Sequence, residues 1–253
     1  MQARCFRCDD PGTVEFTRGP HALMRCARCG MCFVTPHPSD DDRVAFYDDE
    51  RYFDDIYTEA RLARFLRGRW ESSRLQLTDP WKRDGASLLE VGCARGTFLD
   101  RAVRAGWRAQ GVEVSPGASK AAAELTGVAV FTGPLDAAGF EDASFDVVAA
   151  WDVIEHVPDP GAFLRDIRRI LKPGGGLLLS CPNVASWPPK LFKGRWWTLK
   201  PDEHLWHFSP ETLRAALIDT GFAPRSCVTS PLADTNLARF DSMTVVAANP
   251  VVA

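Results

Sequence analysis

The sequence predicts an α/β fold, in which a doubly wound parallel sheet is joined to a small metal-binding module at the N-terminus. Three observations carry this prediction. Short apolar runs alternate with helical patterns beyond residue 85, a glycine-rich turn follows the first of these runs, and two Cys-x-x-Cys pairs stand near the N-terminus. Alternation of this kind is typical of βαβ units, whose strands pair in parallel.

The N-terminal module, residues 1–34, is predicted from four cysteines. Seventeen residues separate the pair Cys5 and Cys8 from the pair Cys26 and Cys29. This spacing is typical of a structural zinc site, in which four thiolates complete a tetrahedron and leave no position open for a substrate. Because zinc supplies on the order of 10 kcal/mol to the folding of zinc-finger peptides, we expect the ion to stabilise this zinc-ribbon-like module.

Spacing alone leaves alternatives open at this site. Cys32 could replace a member of the second pair, His21 or His37 could replace a thiolate, and iron could take the place of zinc. Neighbouring acids dilute the positive charge near the knuckles, so a structural role is predicted rather than RNA binding. The basic residues concerned are Arg4, Arg7, Arg25 and Arg28.

Residues 35–80 are predicted to form a linker followed by lid helices. Prolines and acids dominate residues 35–49, which is typical of an exposed connector. Beyond them, apolar residues recur at helical spacing, and this predicts a helix packed over a cofactor cleft. These apolar residues are Ile56, Leu62, Phe65, Leu66 and Trp70.

The strands of the main sheet are predicted near residues 87–92, 108–113, 128–131, 145–150 and 176–181. After the first strand, Gly92 and Gly96 let the backbone turn sharply and approach a ligand. Glu113 ends the second strand, where an acid can bind both hydroxyls of a ribose. The pairing of this turn with this acid indicates a nucleotide-type cofactor site.

Three further motifs follow in order: GVEVSP at 111–116, FDVVAAWDVIEHVPDP at 145–160 and LKPGGGLLLS at 171–180. Together with the glycine turn they resemble class I S-adenosylmethionine (SAM) methyltransferases. The resemblance covers about residues 85–250 and implies a methyltransferase domain at 81–253. It implies a Rossmann-like, seven-stranded sheet whose last strand is antiparallel, with its final two strands near 222–229 and 242–249.

The resemblance also implies a set of cofactor contacts. Glu90 and the two glycines line the methionine end of SAM, Glu113 holds the ribose hydroxyls, and Gly133 and Leu135 contact adenine. The chain departs from many relatives at two positions, Ala94 and Pro134. The full set of expected cofactor-binding residues is Glu90, Gly92, Gly96, Glu113, Gly133, Leu135, Trp151 and Asp152. Lid aromatics that either face this ligand or pack in the core are Tyr47, Tyr52 and Phe53.

Transfer of a methyl group to a hydroxyl needs an aligned acceptor and a base. His156, after the fourth strand, is one candidate base, and its alternative role is packing. The string D-V-I-E-H resembles ubiquinone-biosynthesis O-methyltransferases, which implies a possible divalent ion at Asp152, Glu155 and His156.

An insertion at residues 183–208 supplies two more candidate bases, His204 and His207. A connection of this length usually serves function. Its aromatic residues either line a substrate wall or anchor the insertion, and its basic residues could recognise phosphate or carboxylate. The aromatic residues are Trp187, Trp196, Trp197, Trp206 and Phe208, and the basic residues are Lys193, Arg195 and Lys200.

Composition narrows the function. The chain has 253 residues, 45% of them hydrophobic, and a net charge of −3, so it has no overall attraction for nucleic acid. No run approaches the roughly 20 apolar residues of a membrane span, and a cytoplasmic location is expected. The predicted function is methyl transfer from SAM to an oxygen of a small-molecule or sugar acceptor. The alternatives are an RNA or protein methyltransferase that captures its substrate with the ribbon, and a non-catalytic SAM-binding protein.

Overall fold

The computed structural model describes residues 2–39, 71–229 and 241–251. Beyond residue 85 its strands and helices alternate as expected from the sequence, and three further strands precede that region. In chain order they are β1 (Thr13–Arg18), β2 (His21–Arg25), β3 (Cys32–Thr35), β4 (Ser87–Val91), α1 (Thr97–Arg104), β5 (Arg108–Glu113), α2 (Pro116–Thr126), β6 (Val130–Thr132), β7 (Phe145–Trp151), α3 (Pro160–Ile170), β8 (Leu171–Pro182), α4 (Trp187–Phe192), β9 (Trp206–His207), α5 (Pro210–Asp219), β10 (Ala223–Val228) and β11 (Ser242–Ala248).

Seven strands form the main sheet, in the order β10-β11-β8-β7-β4-β5-β6. Strands β4 to β8 pair in parallel, whereas β11 runs antiparallel to both β8 and β10. The expected α/β, Rossmann-like sheet with an antiparallel last strand is therefore confirmed. All seven residues of β7 are buried, as expected for a central parallel strand that is covered on both faces.

The helices of this sheet begin at local signals in the sequence. Ser115 and Asp159 accept backbone N–H bonds at the starts of α2 and α3, and each is followed by a proline at the first helical position. Ser209 and Thr212 form a reciprocal capping box at the start of α5. The Ser115 cap lies two residues after the end of β5, and so it helps to fix the loop at this part of the ligand-binding edge.

A second sheet has four strands in the order β1-β2-β3-β9. The first three come from the N-terminal module, and the fourth, β9, comes from the insertion after β8. Cys32 pairs with His207 and Phe33 with Trp206 across β3 and β9, and the Val34 amide donates to the Leu205 carbonyl at 2.9 Å. The insertion therefore completes the sheet of the module.

The module also packs directly on the main body. The Phe6 ring lies 5.0 Å from the Trp206 ring at an angle of 80°, and Arg7 donates to Asp219 at the end of α5 at 2.7 Å. Cys5 and Cys26 belong to the same buried apolar cluster as residues of the main sheet. The two sheets thus share one hydrophobic core.

The segment between the two sheets is described only in part. The lid aromatics Tyr47, Tyr52 and Phe53 lie outside the described residues. So do the apolar residues of the expected lid helix, Ile56, Leu62, Phe65, Leu66 and Trp70. Residues 71–76 are helical, and a short 3-10 turn, Asp79–Trp81, leads into β4. Among the residues that the structure describes, no helix combines the length and the apolar character that a membrane crossing requires.

Candidate functional site

The glycine turn lies where β4 ends, at the carboxyl edge of the parallel strands. Gly92 and Gly96 both have positive φ, 69° and 78°. A Cβ on Gly92 would lie 2.5 Å from Cγ2 of Val153, and one on Gly96 would lie 3.0 Å from Cα of Ala122. Only glycine allows both the positive φ and these close contacts, so the turn presents backbone without side chains at this edge of the sheet.

Glu113, at the end of β5, braces this turn. Its carboxylate accepts the Ala94 amide at 2.8 Å and the Ser115 amide at 2.9 Å. Burial raises the pKa of Glu113, against the lowering effect of the amides of Ser115 and Ala94. Each carboxylate oxygen has two lone pairs, and therefore the group retains the capacity to accept two ribose hydroxyls.

Glu90, the next-to-last residue of β4, is a buried acid beside the turn. Among the described residues, its Oε2 has no hydrogen-bond partner. Burial, followed by the nearby Glu71 carboxylate, raises the pKa of Glu90 well above its usual value. A buried acceptor without a hydrogen-bond partner fits a ligand that supplies a donor, such as the ammonium of a methionine group.

Glu71 and Arg74, which belong to no sequence motif, line the same edge. Glu71 accepts from Thr97 Oγ1 at 2.6 Å and from Arg101 Nε at 2.9 Å, so it ties residues 71–76 to α1. Both residues stand in a helical stretch before the first motif, where no spacing marks them.

The Asp152 carboxylate lies beside Arg74 and Ser180. Arg74 Nη2 lies 3.2 Å from the Asp152 carboxylate and 2.8 Å from Ser180 Oγ, and Ser180 donates to Asp152 at 3.0 Å. The Arg74 guanidinium also lies 4.4 Å from the centre of the Trp151 ring. Trp151 and Asp152, two expected cofactor contacts, are thus held in one network.

Gly133 and Leu135, the expected adenine contacts, follow β6 at the same edge. The Gly133 amide donates to the Glu113 carbonyl at 2.9 Å, which places the two expected ligand regions side by side. Leu135 is buried and begins a short 3-10 turn. Their contacts with adenine stay a prediction.

Three histidines, the buried His204 and His207 and the partly exposed His156, lie together where the insertion meets the loop after β7. The His156 and His204 rings are 4.6 Å apart, and those of His204 and His207 are 6.1 Å apart. Burial lowers the pKa of His156 to about 4 and that of His207 to about 3, and it lowers the pKa of His204 well below its usual value. All three imidazoles are therefore neutral near pH 7.

The three histidines differ in their surroundings. His156 Nδ1 lies 3.0 Å from the Glu203 carbonyl, and His204 Nδ1 lies 2.7 Å from the Thr198 carbonyl. Both ring nitrogens of His207 lack a hydrogen-bond partner within the described ranges, and its ring packs 5.4 Å from that of Trp196. Of the three candidate bases, His207 is the one whose environment is that of a packing residue.

The four cysteines of the two Cys-x-x-Cys pairs converge in the module. The sulfurs of Cys5, Cys8, Cys26 and Cys29 all lie within 4.8 Å of one another, and we call this group the four-cysteine cluster. The Cys29 amide donates to Cys26 Sγ at 3.4 Å, so a backbone amide supports one of the four sulfurs. Four converging thiols fit, and so suggest, a tetrahedral zinc ion.

The alternative ligands for this site lie elsewhere. The Cys32 thiol is 3.7 Å from the Gly30 carbonyl and outside the four-cysteine cluster. His21 Nδ1 lies 3.1 Å from the Pro36 carbonyl, and His37 packs edge-on against Trp206. The geometry therefore favours the first of the ligand sets considered from the sequence.

The aromatic residues of the insertion separate into two groups. Trp196, Trp206 and Phe208 are buried, and Trp196 Nε1 donates to the Asp241 carboxylate. Trp187 and Trp197 are 54% and 44% exposed. The first group anchors the insertion, and the second is available to a ligand.

A family model described as "Methyltransferase domain" matches residues 62–226. Among curated proteins, the chain is 35% identical over 124 residues to the ubiquinone biosynthesis O-methyltransferase of Xanthomonas euvesicatoria, covering 47% of this chain and 49% of that protein. It is 35% identical over 146 residues to the protein of the same name from Caulobacter vibrioides, covering 53% and 58%. The matches thus span about half the length of these relatives.

Solved structures share the fold. A SAM-dependent methyltransferase from Mesorhizobium loti superposes with a TM-score of 0.56 at 20% identity, covering 70% of this chain and 97% of the other. A possible histamine N-methyltransferase from Thermotoga maritima gives 0.59 at 21%, covering 81% and 99%. With a family model that matches well over half of its residues, the chain belongs to the methyltransferase-domain family and has the fold of SAM-dependent methyltransferases.

Proposed function

We propose that this protein transfers the methyl group of SAM to an oxygen atom of a small-molecule or sugar acceptor. The observation that carries the proposal is the pair of buried carboxylates, Glu90 and Glu113, on either side of a glycine turn with room only for backbone. When bound, SAM supplies a methyl group already activated on a sulfonium. The protein therefore has to bind SAM, orient the acceptor and remove the proton of the acceptor hydroxyl.

Each carboxylate has a separate task at the cofactor end. Glu113 holds the loop amides of Ala94 and Ser115 and has lone pairs left for two ribose hydroxyls. The buried Oε2 of Glu90 is an acceptor for the ammonium of the methionine group. Such charge-assisted bonds in a buried site are stronger than bonds between neutral groups.

His156 is the base in this proposal. A carbonyl only accepts, so the contact with the Glu203 carbonyl at 3.0 Å leaves the proton on Nδ1 and the lone pair on Nε2. That lone pair takes the hydroxyl proton as the oxygen attacks the methyl group. The ring is neutral near pH 7 because burial lowers the pKa of His156 to about 4.

The acceptor class rests on charge and on the exposed aromatics. The net charge of −3 gives no general attraction for RNA, and Trp187 and Trp197 offer exposed aromatic faces in the same insertion as Lys193 and Arg195. Aromatic faces with a few polar groups are typical of small-molecule sites. The curated relatives are named as O-methyltransferases, which supports oxygen as the accepting atom.

The cofactor assignment is tested by substituting Glu113→Gln and measuring the affinity for S-adenosylhomocysteine by calorimetry. We expect affinity to fall about tenfold or more, as for loss of a hydrogen bond to a charged group. Glu124→Gln, an exposed glutamate on α2, is the matched control and should bind normally.

A 2′-deoxy analogue separates ribose binding from bracing of the turn. If Glu113 binds the ribose, the penalty of Glu113→Gln shrinks with the analogue, as in a double-mutant cycle. An equal penalty with both ligands means that Glu113 acts only on the turn, and unchanged affinity would refute the cofactor site.

The acceptor is found with methyl-labelled SAM and host extract that has been separated into RNA, protein, and small-molecule or glycan fractions, with Glu113→Gln as the blank. Label in the small-molecule or glycan fraction is the expected result. Label in RNA or protein would contradict the proposed acceptor class while leaving the cofactor site intact.

A further inference from the structure

Glu155, His156 and His204 bring three metal-binding side chains to one buried point. One ligand atom from each lies within 4.8 Å of the corresponding atoms of the other two, and the side chain of Glu155 is only 1% exposed. Glu155 and His156 belong to the loop after β7, and His204 belongs to the insertion. This group is distinct from the four-cysteine cluster of the module.

Main-chain contacts hold the two segments in register. The Glu155 carbonyl accepts the amides of Leu205 and Trp206 at 2.9 and 3.1 Å. The strand pairing of β9 with β3 then fixes the far side of the same segment. The three donors are therefore positioned by backbone geometry and not by flexible side chains alone.

The second nitrogen of each imidazole is oriented as it is in metal-binding histidines. Nδ1 of His156 and of His204 contacts a backbone carbonyl, at 3.0 and 2.7 Å, so each Nδ1 carries the hydrogen and each Nε2 carries the lone pair. A histidine ligand ordinarily donates its other N–H to a carbonyl or carboxylate in this way. Two rings in one cluster share this arrangement.

We propose that Glu155, His156 and His204 bind a divalent transition-metal ion. His156 Nε2 lies 3.9 Å from Glu155 Oε1, and an ion at about 2.0–2.2 Å from each donor would draw this pair together by less than 1 Å or so. Two imidazoles and one carboxylate suit zinc, iron or cobalt better than magnesium or calcium, which prefer oxygen ligands.

This set differs from the one that the motif resemblance implied. That set contained Asp152, whose carboxylate instead contacts Arg74 and Ser180. With the His204 imidazole in place of the Asp152 carboxylate, the ligand set no longer favours a hard cation such as magnesium. It favours an intermediate transition-metal ion such as zinc. It also makes the insertion part of the site, and three protein ligands leave at least one position open to water or to an acceptor hydroxyl.

The ion and the proton compete for the same atom of His156. Nε2 has a single lone pair, so a chain with the ion bound has this ring as a ligand. His156 is therefore the base only in the metal-free chain, and in the ion-bound chain the ion would itself activate an acceptor hydroxyl held at its open position. Added metal should accordingly change the rate of methyl transfer, but the existence of the site is tested without that rate.

The test uses the full-length protein as isolated and does not depend on methyl transfer. Tightly bound metal is counted by mass spectrometry, and Co²⁺ uptake is then followed by equilibrium dialysis and absorption. We expect two ions per wild-type chain in all, and any Co²⁺ at the new site lacks the intense thiolate charge-transfer band of the four-cysteine cluster.

Glu155→Gln and His204→Ala should each weaken the second site at least tenfold and leave the ion of the four-cysteine cluster in place. His207→Asn, a neighbouring histidine outside the donor cluster, should keep both ions. Retention of the thiolate-bound ion and an unchanged melting curve report that each variant is folded. Binding of a single ion by the wild type, or a second ion unaffected by both Glu155→Gln and His204→Ala, would overturn the proposal.

Discussion

Asp146 connects three strands of the main sheet through one buried carboxylate. Its side chain is only 3% exposed, and it accepts the Ser87 amide and hydroxyl and Lys172 Nζ, each at 2.9 Å. Arg83 also contacts it. Burial alone would raise the pKa of Asp146, but the Ser87 amide and the Lys172 ammonium outweigh burial and lower it.

We expect Asp146→Asn to lower the free energy of unfolding by about 1–3 kcal/mol, since the Ser87 amide and hydroxyl lose hydrogen bonds to a buried charged group. The partly exposed Lys172 ammonium can be rehydrated and adds little to this loss. Urea denaturation at pH 7 measures this loss. Asp142→Asn, an exposed aspartate paired with Arg169, is the matched control and should change stability by less than about 1 kcal/mol.

The cost of Asp146→Asn should also depend on pH. Because the folded pKa of Asp146 lies below its unfolded value, the carboxylate stabilises the fold above the unfolded pKa of about 3.9. This stability is lost as the pH falls through the folded pKa. The difference in melting temperature between Asp146→Asn and the wild type should therefore narrow below about pH 4, and a constant difference would contradict the pKa direction.

Some single residues of the site could be predicted from the sequence because their roles are set by local backbone. The glycine turn, Glu113 and the paired cysteines are examples. Arg74 and Glu71 could not be predicted, because they reach the site through tertiary packing of a stretch without a motif. The partner of Asp152 was missed for the same reason.

Strand β9 has two residues, yet it joins the insertion to the module. Trp206 in β9 packs 5.0 Å from the Phe6 ring and 6.0 Å from the Phe33 ring, and its Nε1 donates to the Val157 carbonyl at 2.9 Å. One side chain therefore contacts the knuckle, strand β3 and the loop after β7. A large part of the packing of the insertion depends on this ring.

We expect Trp206→Ala to lower the free energy of unfolding by about 3–5 kcal/mol, as for other buried aromatic residues that leave a cavity. Trp187→Ala, in the same insertion but 54% exposed, should cost less than about 0.5 kcal/mol. Both are measured by chemical denaturation. Similar losses for the two variants would show that β9 does not anchor the insertion.

Five strands of the main sheet were predicted from alternation, and the last two from the resemblance to methyltransferases. Strand β8 begins five residues before its expected start, and the other six strands lie within two residues of their expected positions. Strand β9 was not predicted, because two residues are too few to show the hydrophobic alternation of a strand. The choice between anchoring and substrate contact for the aromatic residues was also open from the sequence. Burial of Trp196 and exposure of Trp197, which adjoin in sequence, could only be found from tertiary structure.

The two sheets share a core, so we expect metal at the four-cysteine cluster to stabilise more than the module. Cys29→Ser should release the tightly bound metal, which contributes on the order of 10 kcal/mol in zinc-finger peptides. Hydrogen exchange should then accelerate at residues 32–35 and also at 204–208, because β3 and β9 pair.

Cys227→Ser replaces an exposed cysteine far from this cluster in sequence and is the matched control. It should retain the metal and show unchanged exchange at residues 204–208. If Cys29→Ser accelerates exchange in residues 2–35 alone, the module and the insertion are energetically independent, and the shared core does not couple them.

The pairing of β3 with β9 has a consequence for how such a protein can change during evolution. A descendant that lost the insertion would leave β3 as an open strand edge, which is prone to pairing with other chains. A descendant that lost the module would leave the Trp206 ring without Phe6 and Phe33 and facing water. The two segments are therefore expected to be gained, lost and exchanged together, as one inherited unit split across the chain.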